Sequence, residues 1–325
     1  MALTYTELEA ITRHYFMADN GKAVDIYFDS SFLMDRWMNK KMGIWERPGG
    51  GTKIRIPLEY DMQEGGFFLR GEPLSSNDKE TVNAAEFLWK AAYANATILW
   101  QDELENAGEY AEVQLITQKL ASAQKTVRKK LAATLYADGG DAAKILSGIQ
   151  SMCSSSLTTA YGGIIPNDLV ATDGTKPWTG NVTATGGAIS LDKIRSLRSS
   201  AKIGDGGKDK PNIGVTTEDL FNKISSILQV QQRFVKDDYT SKAGFTHLVF
   251  EEMLLGADDY APAGTLTALN ENYVGFAVHK KAFFVREPWQ KIPDIAGKTM
   301  KIFWYGNMVC SNRKSHAMAT GLTVA

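Results

Sequence analysis

Gly49-Gly50-Gly51-Thr52-Lys53-Ile54-Arg55-Ile56-Pro57-Leu58-Glu59-Tyr60 is the most informative stretch of the chain. From Lys53 onward charged and apolar residues alternate. That period of two predicts a strand with one apolar and one charged face. Pro57 lacks a backbone donor, which places the strand at a sheet edge. Gly65-Gly66 followed by Phe67-Phe68-Leu69-Arg70-Gly71 reads as a returning strand. A two-stranded ribbon is marginal in water, so this hairpin needs a surface to lie on. The residues alone leave open whether that surface belongs to its own domain or to a neighbouring subunit.

Upstream, Thr4-Tyr5-Thr6-Glu7 has the spacing of a capping box, with Leu8, Ile11, Tyr15 and Phe16 following at helical intervals. Phe32, Leu33 and Trp37 before Gly43 predict a second short helix. Both are too short to be stable alone and must dock. Downstream, residues 83–101 read as strand. Residues 109–136 then carry Val113, Ile116, Leu120, Val127, Leu131 and Leu135 as an apolar stripe. Glu109 and Glu112 open this helix. Lys125, Arg128, Lys129 and Lys130 lie near its end, an order that suits the macrodipole, and read as a solvated helix end. Its length would be about 42 Å. Residues 138–190 are rich in Gly, Ser and Thr. Beyond them Ser190 caps a helix through Leu197, Asn212–Thr216 reads as strand, and Thr217 opens another helix. Phe245–Phe250, Tyr273–Phe284 and Lys301–Cys310 are β-rich. The mixture predicts an α+β architecture.

The 325 residues suggest about two domains. Thirty-six Lys and Arg balance 37 Asp and Glu, a net charge of −1, which argues against a dedicated nucleic-acid-coating protein. Two cysteines, Cys153 and Cys310, exclude a disulfide framework and read as reduced buried thiols. The start has no basic region of the secretory kind, and no apolar run is long enough to span a membrane, so an intracellular chain is expected.

No catalytic motif in the sequence is complete. Gly297-Lys298-Thr299 ends like a phosphate-binding loop, but Ile292 stands where the first glycine is needed. His14, His247, His279 and His316 show no metal-ligand spacing. Ser154-Ser155-Ser156 lacks the glycines of a nucleophile elbow. Asp237-Asp238 and Asp258-Asp259 read as solvated loops rather than cation sites. No enzyme, cofactor or metal is expected.

The order of the segments carries a resemblance. Phe32-Leu33-Met34-Asp35-Arg36-Trp37 precedes Gly43, and the glycine turn with its Pro-containing strand comes next. Ala84-Ala85-Glu86-Phe87-Leu88-Trp89-Lys90 leads back from the loop, and the long helix ends at Leu135-Tyr136-Ala137-Asp138-Gly139. Tyr161-Gly162-Gly163-Ile164 and Trp304-Tyr305-Gly306-Asn307 with Ser311-Asn312-Arg313 complete the series. Together, from about residue 25 to 320, they resemble the major capsid protein of tailed bacteriophages, the Hong Kong 97-like fold.

The resemblance implies an N-terminal arm (1–42), an extended β-hairpin loop (43–82), a peripheral domain (83–137 and 273–325) with spine helix 109–136, and an axial domain (138–272). It implies self-assembly through hexamers and pentamers into an icosahedral head around double-stranded DNA bound without sequence specificity. The subunit would stand in the virion capsid after assembly in the host cytoplasm, with no membrane partner. Ile54, Ile56, Leu58, Tyr60, Phe67 and Phe68 would form the inter-subunit face of the hairpin. Gly49, Gly50, Gly51, Gly65 and Gly66 would be its hinges, and the six stripe residues from Val113 to Leu135 the spine-helix core. Fewer than about 40 residues precede the hairpin, so a separate scaffolding protein is expected, with a portal. A cellular nanocompartment shell of the same fold is the alternative, and a soluble enzyme a more distant one.

Overall fold

A computed structural model describes residues 31–40, 44–46, 49–74, 78–105, 115–140, 144–184, 186–204, 209–229, 247–293 and 295–324. The predicted helix near residues 4–20, Val113 and the start of the long helix lie outside them. The described residues form an α+β fold in two units. One is built from residues 91–131 and 279–305, the other from 31–90, 132–278 and 306–325.

The larger unit is organised by a six-stranded sheet. Its order is Val182–Thr183, Ala317–Ala319, Leu266–Leu269, Ile213–Thr216, Met253–Ala257 and His247–Phe250. Helices Leu191–Ser200 and Glu218–Gln229 put Ile194, Leu197, Leu220, Phe221 and Ile224 into the same core as Leu248, Leu255 and Leu266. Ser190 caps the first of these helices as expected, its Oγ accepting from Lys193 N at 3.3 Å. In the same unit Val274–Val278 pairs in parallel with Ile44–Glu46 and antiparallel with the end of Gly297–Cys310.

The short helix Phe32–Lys40 is anchored along its whole length. Phe32 lies so close to Gly256 that a Cβ there would come within 2.4 Å of its ring, so glycine is required. Arg36 makes two bonds to Glu271, at 2.7 and 2.9 Å, and Trp37 meets Phe276 edge-on at 5.6 Å. Asp258 takes hydrogen bonds from Ser31 Oγ, Leu33 N and Tyr136 Oη at 2.7, 3.2 and 2.9 Å. This carboxylate is buried and its pKa raised, foremost by desolvation. Asp258 is therefore a helix anchor, not the solvated loop residue that its Asp-Asp sequence suggested.

The smaller unit contains strand Lys90–Leu99 against the first half of Gly297–Cys310, with Val285–Arg286 and Gln290–Lys291 also on that strand. The long helix is described from Leu115 to Leu135. Val127, Leu131 and Leu135 are buried at intervals of four, joined by Ala123 and Ala132, and Leu120 is half-buried. Of Ile116 only the helical backbone is described.

The returning strand is corrected. Lys53–Glu59 pairs not with 67–71 but with Val82–Leu88, in a register from Lys53↔Leu88 to Glu59↔Val82. Phe67-Phe68-Leu69 does not alternate, whereas Val82–Leu88 supplies Ala85 and Phe87 on one face. The two strands therefore bracket an irregular loop from Tyr60 to Thr81.

Candidate functional site

The apolar face of the two-stranded ribbon is covered by its own chain. Ile54, Ile56 and Leu58 are 3%, 7% and 8% exposed, opposite Phe87, Ala85 and Asn83. Tyr161 stacks edge-on against Phe87 at 5.3 Å, and Trp178 Nε1 donates to Tyr161 O at 2.8 Å. At Gly162, with φ +60°, a Cβ would come to 3.0 Å from the Phe87 ring. The expected role of Ile54, Ile56 and Leu58 as an outward contact face is thus replaced by a role in the chain's own core. The outward face carries charge: Glu86 bonds Lys53 at 2.5 Å and Arg55 at 2.8 Å. The Lys53 bond, foremost, holds the Glu86 carboxyl below its usual range.

Arg313 holds that cover in place. Its guanidinium is buried and donates to the carbonyls of Met152, Trp178, Ser151 and Ser154 at 2.8, 2.8, 3.2 and 2.8 Å. Its carbon sits 4.9 Å from the Tyr161 ring centroid. Three of those carbonyls belong to the end of helix Ile149–Cys153, where intrahelical partners run out. Asn307 makes a second such junction, donating to Leu88 O at 2.9 Å and accepting from Ser147 N at 3.0 Å. Both residues fall in the segments whose order suggested the fold.

The loop is stitched at its root and open beyond it. Tyr60 N donates to Thr81 O at 2.9 Å and Tyr60 Oη to Glu80 O at 2.8 Å. Gln63 Nε2 donates to Lys79 O at 3.0 Å. Asp61 pairs with Lys79 at 2.6 Å and accepts from Thr172 N and Oγ1 at 2.9 and 2.8 Å. The Lys79 bond is the largest cause that holds the Asp61 carboxyl far below the usual carboxylate range. These contacts tie both legs of the loop to the turn at 171–175. No local sequence signal joins Asp61, Lys79 and Thr172, because the fold alone brings them together.

Beyond the root, Met62, Phe67, Phe68, Leu69 and Leu74 are 82%, 108%, 64%, 78% and 66% exposed. Leu69 and Glu72 close a turn, with Leu69 N donating to Glu72 Oε2 at 2.7 Å and Gly71 at φ +86°. An open trough of about 960 Å³ separates the loop from the 171–175 turn. Of the expected hinges only Gly51, at φ +102°, has a conformation that demands glycine. A Cβ at Gly49, Gly50, Gly65 or Gly66 would meet nothing within 4 Å. Scattered exposed apolar residues are ordinary, but five within thirteen positions on one loop are an unusual concentration.

No group of three His, Cys, Asp or Glu among the described residues is arranged to hold a metal ion. Cys153 and Cys310 are buried free thiols, both pushed up to about 12, foremost by burial. No described helix is long and apolar enough to cross a membrane.

No family model matches the chain, and no curated protein matches its sequence. Solved structures do match its fold. A chain of the cyanophage A-1(L) capsid asymmetric unit is similar at 13% identity and a TM-score of 0.65, with 93% of this chain and 96% of that one covered. The encapsulin of the holo-SrpI complex from Synechococcus elongatus is similar at 11% identity and a TM-score of 0.60, with 100% and 98% covered. The capsid of Myoviridae phage XM1 is similar at 12% identity and a TM-score of 0.57, with 93% and 95% covered. The chain therefore has the Hong Kong 97-like α+β fold of these shell proteins.

Proposed function

We propose that this chain, a subunit with a shell-protein fold, is the major capsid protein of a tailed bacteriophage. It assembles through hexamers and pentamers into an icosahedral head around double-stranded DNA, and it catalyses nothing. The observation that carries this reading is the apolar run at Met62, Phe67, Phe68, Leu69 and Leu74, exposed on a loop whose root is held by Asp61, Lys79 and Thr172. The contact reaches a neighbouring subunit through Phe67 and Phe68, with Tyr60 at the root. Burying five such side chains is worth roughly 7–15 kcal/mol gross. Association and ordering cost about 4–15 kcal/mol, so one loop does not close a shell. Because every subunit both lends a loop and receives one, the contact is heterologous and closes into rings.

The domain assignment follows. Residues 1–42 act as an arm, 43–82 as the extended loop, 83–137 and 273–325 as the peripheral domain, and 138–272 as the axial domain. A separate scaffolding protein and a portal are the other partners, and the working location is the virion. A nanocompartment shell is the second reading, favoured by the similarity to an encapsulin over the whole chain. Electron microscopy of the purified chain, alone and with its scaffold co-expressed, tests both. Shells, tubes, or rings of five or six support a shell protein. Genes for a terminase and portal beside its own support the phage, and a cargo-enzyme gene there the compartment. A monomer or dimer that never assembles overturns both.

A further inference from the structure

The outer edge of strand Lys53–Glu59 is a second surface, separate from the apolar loop. In an antiparallel pair, backbone groups turn alternately toward the partner strand and away from it. Tyr60 N donates to Thr81 O at 2.9 Å, one step beyond the register that ends at Glu59↔Val82. Glu86, opposite Arg55, turns away from the pair, its N donating to Gly162 O at 2.7 Å. By alternation Ile54, Ile56 and Leu58 bond to Val82–Leu88. Lys53, Arg55, Pro57 and Glu59 present their backbone groups on the other side. Among the described residues no strand pairs there, because the sheet consists of these two strands. Pro57 falls in the outward set, so its missing N–H costs the ribbon no bond.

An open edge templates other strands unless something blunts it, and Pro57 and the outward charges do so here. They also leave one arrangement favoured. Lys53 and Arg55 share a single carboxylate, Glu86, at one end of the edge. Glu59, exposed and without an ion pair among the described residues, stands at the other end. An edge that runs from positive to negative complements a copy of itself laid antiparallel. With Ile56 on the two-fold axis, Lys53 of each copy opposes Glu59 of the other and exchanges both backbone bonds with it. Arg55 N then donates to Pro57 O across the junction, and within the pairing the Arg55 carbonyl alone goes without a donor. Sliding the strands by one repeat sets Arg55 against Arg55, where like charges repel. Sliding them the other way sets Pro57 against Pro57, where neither has an N–H to give. In-register parallel pairing lays Lys53 and Arg55 beside their own copies.

We infer that two copies of this chain pair edge to edge through Lys53–Glu59, antiparallel about Ile56, into one shared sheet. The contact is isologous, unlike the loop contact proposed above. A heterologous contact closes a ring, and a two-fold contact can join one ring to the next. The pairing is a property of the edge and does not rest on the capsid reading. A seven-residue edge is small beside the about 1,200 Å² of a stable complex, so its test uses concentrated subunits. Lys53→Cys chains are mixed with Glu59→Cys chains under oxidised glutathione. The native Cys153 and Cys310 are buried and take no part. Opposed residues that exchange backbone bonds stand about 5.5 Å apart at Cα, within a disulfide's span of about 4.4–6.8 Å. Two copies of the same variant hold their thiols about 20 Å apart along the strand. The mixture should therefore give at least about tenfold more crosslinked dimer than either variant alone. Arg55→Pro, combined with each thiol variant, loses an outward N–H and keeps the ladder to Val82–Leu88. It should cut the yield roughly tenfold while the melting temperature holds. No excess in the mixture overturns the inference, as does crosslinking of either variant alone. Slow hydrogen exchange at Arg55 and Glu59, at dilutions where no dimer forms, assigns the edge to a segment of the same chain and overturns it too. Shells whose subunits give no such crosslink sink this inference alone. Crosslinked dimers that never form rings or shells sink the capsid reading alone.

Discussion

His316 should make the subunit acid-sensitive in a window where carboxylates are still ionised. The residue is fully buried, directly before strand Ala317–Ala319, which pairs with Leu266–Leu269 in the main sheet. Its Nδ1 accepts from Asn270 N at 3.1 Å, so the ring proton sits on Nε2, which finds no partner among the described residues. Burial holds its pKa down to about 3, against an ordinary value of 6.5. The sign follows from which state takes up the proton. Below pH 6.5 the unfolded chain binds it and the folded chain does not, so stability falls as pH falls, down to the folded value. Each pH unit inside that window costs up to about 1.4 kcal/mol, which gives about 2 kcal/mol between pH 7.5 and 5. Asp258, whose pKa is raised, acts in the opposite direction, so the comparison must be with a variant that keeps it. His316→Asn retains an acceptor near Nδ1 and removes the titration. Urea unfolding of unassembled subunits should show the stability gap between the two proteins shifting by about 2 kcal/mol over that range, in favour of the variant at low pH. Parallel pH profiles, or a His316 resonance titrating near 6.5, would refute the reasoning.

Four further outcomes are expected. Phe67→Ser with Phe68→Ser removes apolar area that is largely exposed among the described residues, so the melting temperature should not move. The lost burial, roughly 3–6 kcal/mol per loop contact, should raise the critical assembly concentration at least about 100-fold in a light-scattering titration. Asp61→Asn removes the pairing with Lys79 and should speed proteolysis between residues 62 and 74, while Glu64→Gln, on the exposed part of the loop, should not. Gly51→Ala must adopt φ near +102° and should cost about 1–3 kcal/mol in thermal unfolding, while Gly50→Ala, which meets no neighbour, should stay within about 0.5 kcal/mol. Arg313→Met removes a donor from each of four carbonyls and should cost about 3–5 kcal/mol in urea unfolding, with a shift of Trp178 fluorescence that reports the loosened cover of the ribbon.

What the sequence discloses about this chain divides along a physical line. A strand's periodicity is local, so the alternation from Lys53 to Glu59 was legible and appears intact as burial of every second residue. The buried half of the long helix was legible for the same reason, through Val127, Leu131 and Leu135. A strand's partner is not local. Phe67-Phe68-Leu69 has strong β-propensity and sits nearest along the chain, yet propensity does not choose between candidate partners. What chose was the supply of apolar residues at alternate positions, Ala85 and Phe87, with Tyr161 to cover them from the far side of the sequence. Hence three of the residues that made the ribbon look like an exposed contact face, Ile54, Ile56 and Leu58, are ones its own chain conceals. The residues left in water are those with no periodicity at all. An apolar loop of that kind is a liability for a lone subunit, since it invites random association. Its root is nonetheless fixed by an ion pair and five hydrogen bonds, each made by Tyr60, Asp61 or Gln63, in an arrangement that costs conformational entropy to maintain. Ordering a sticky segment instead of hiding it makes sense only where the orientation of the next subunit matters, and that is the requirement a closed shell places on every one of its contacts.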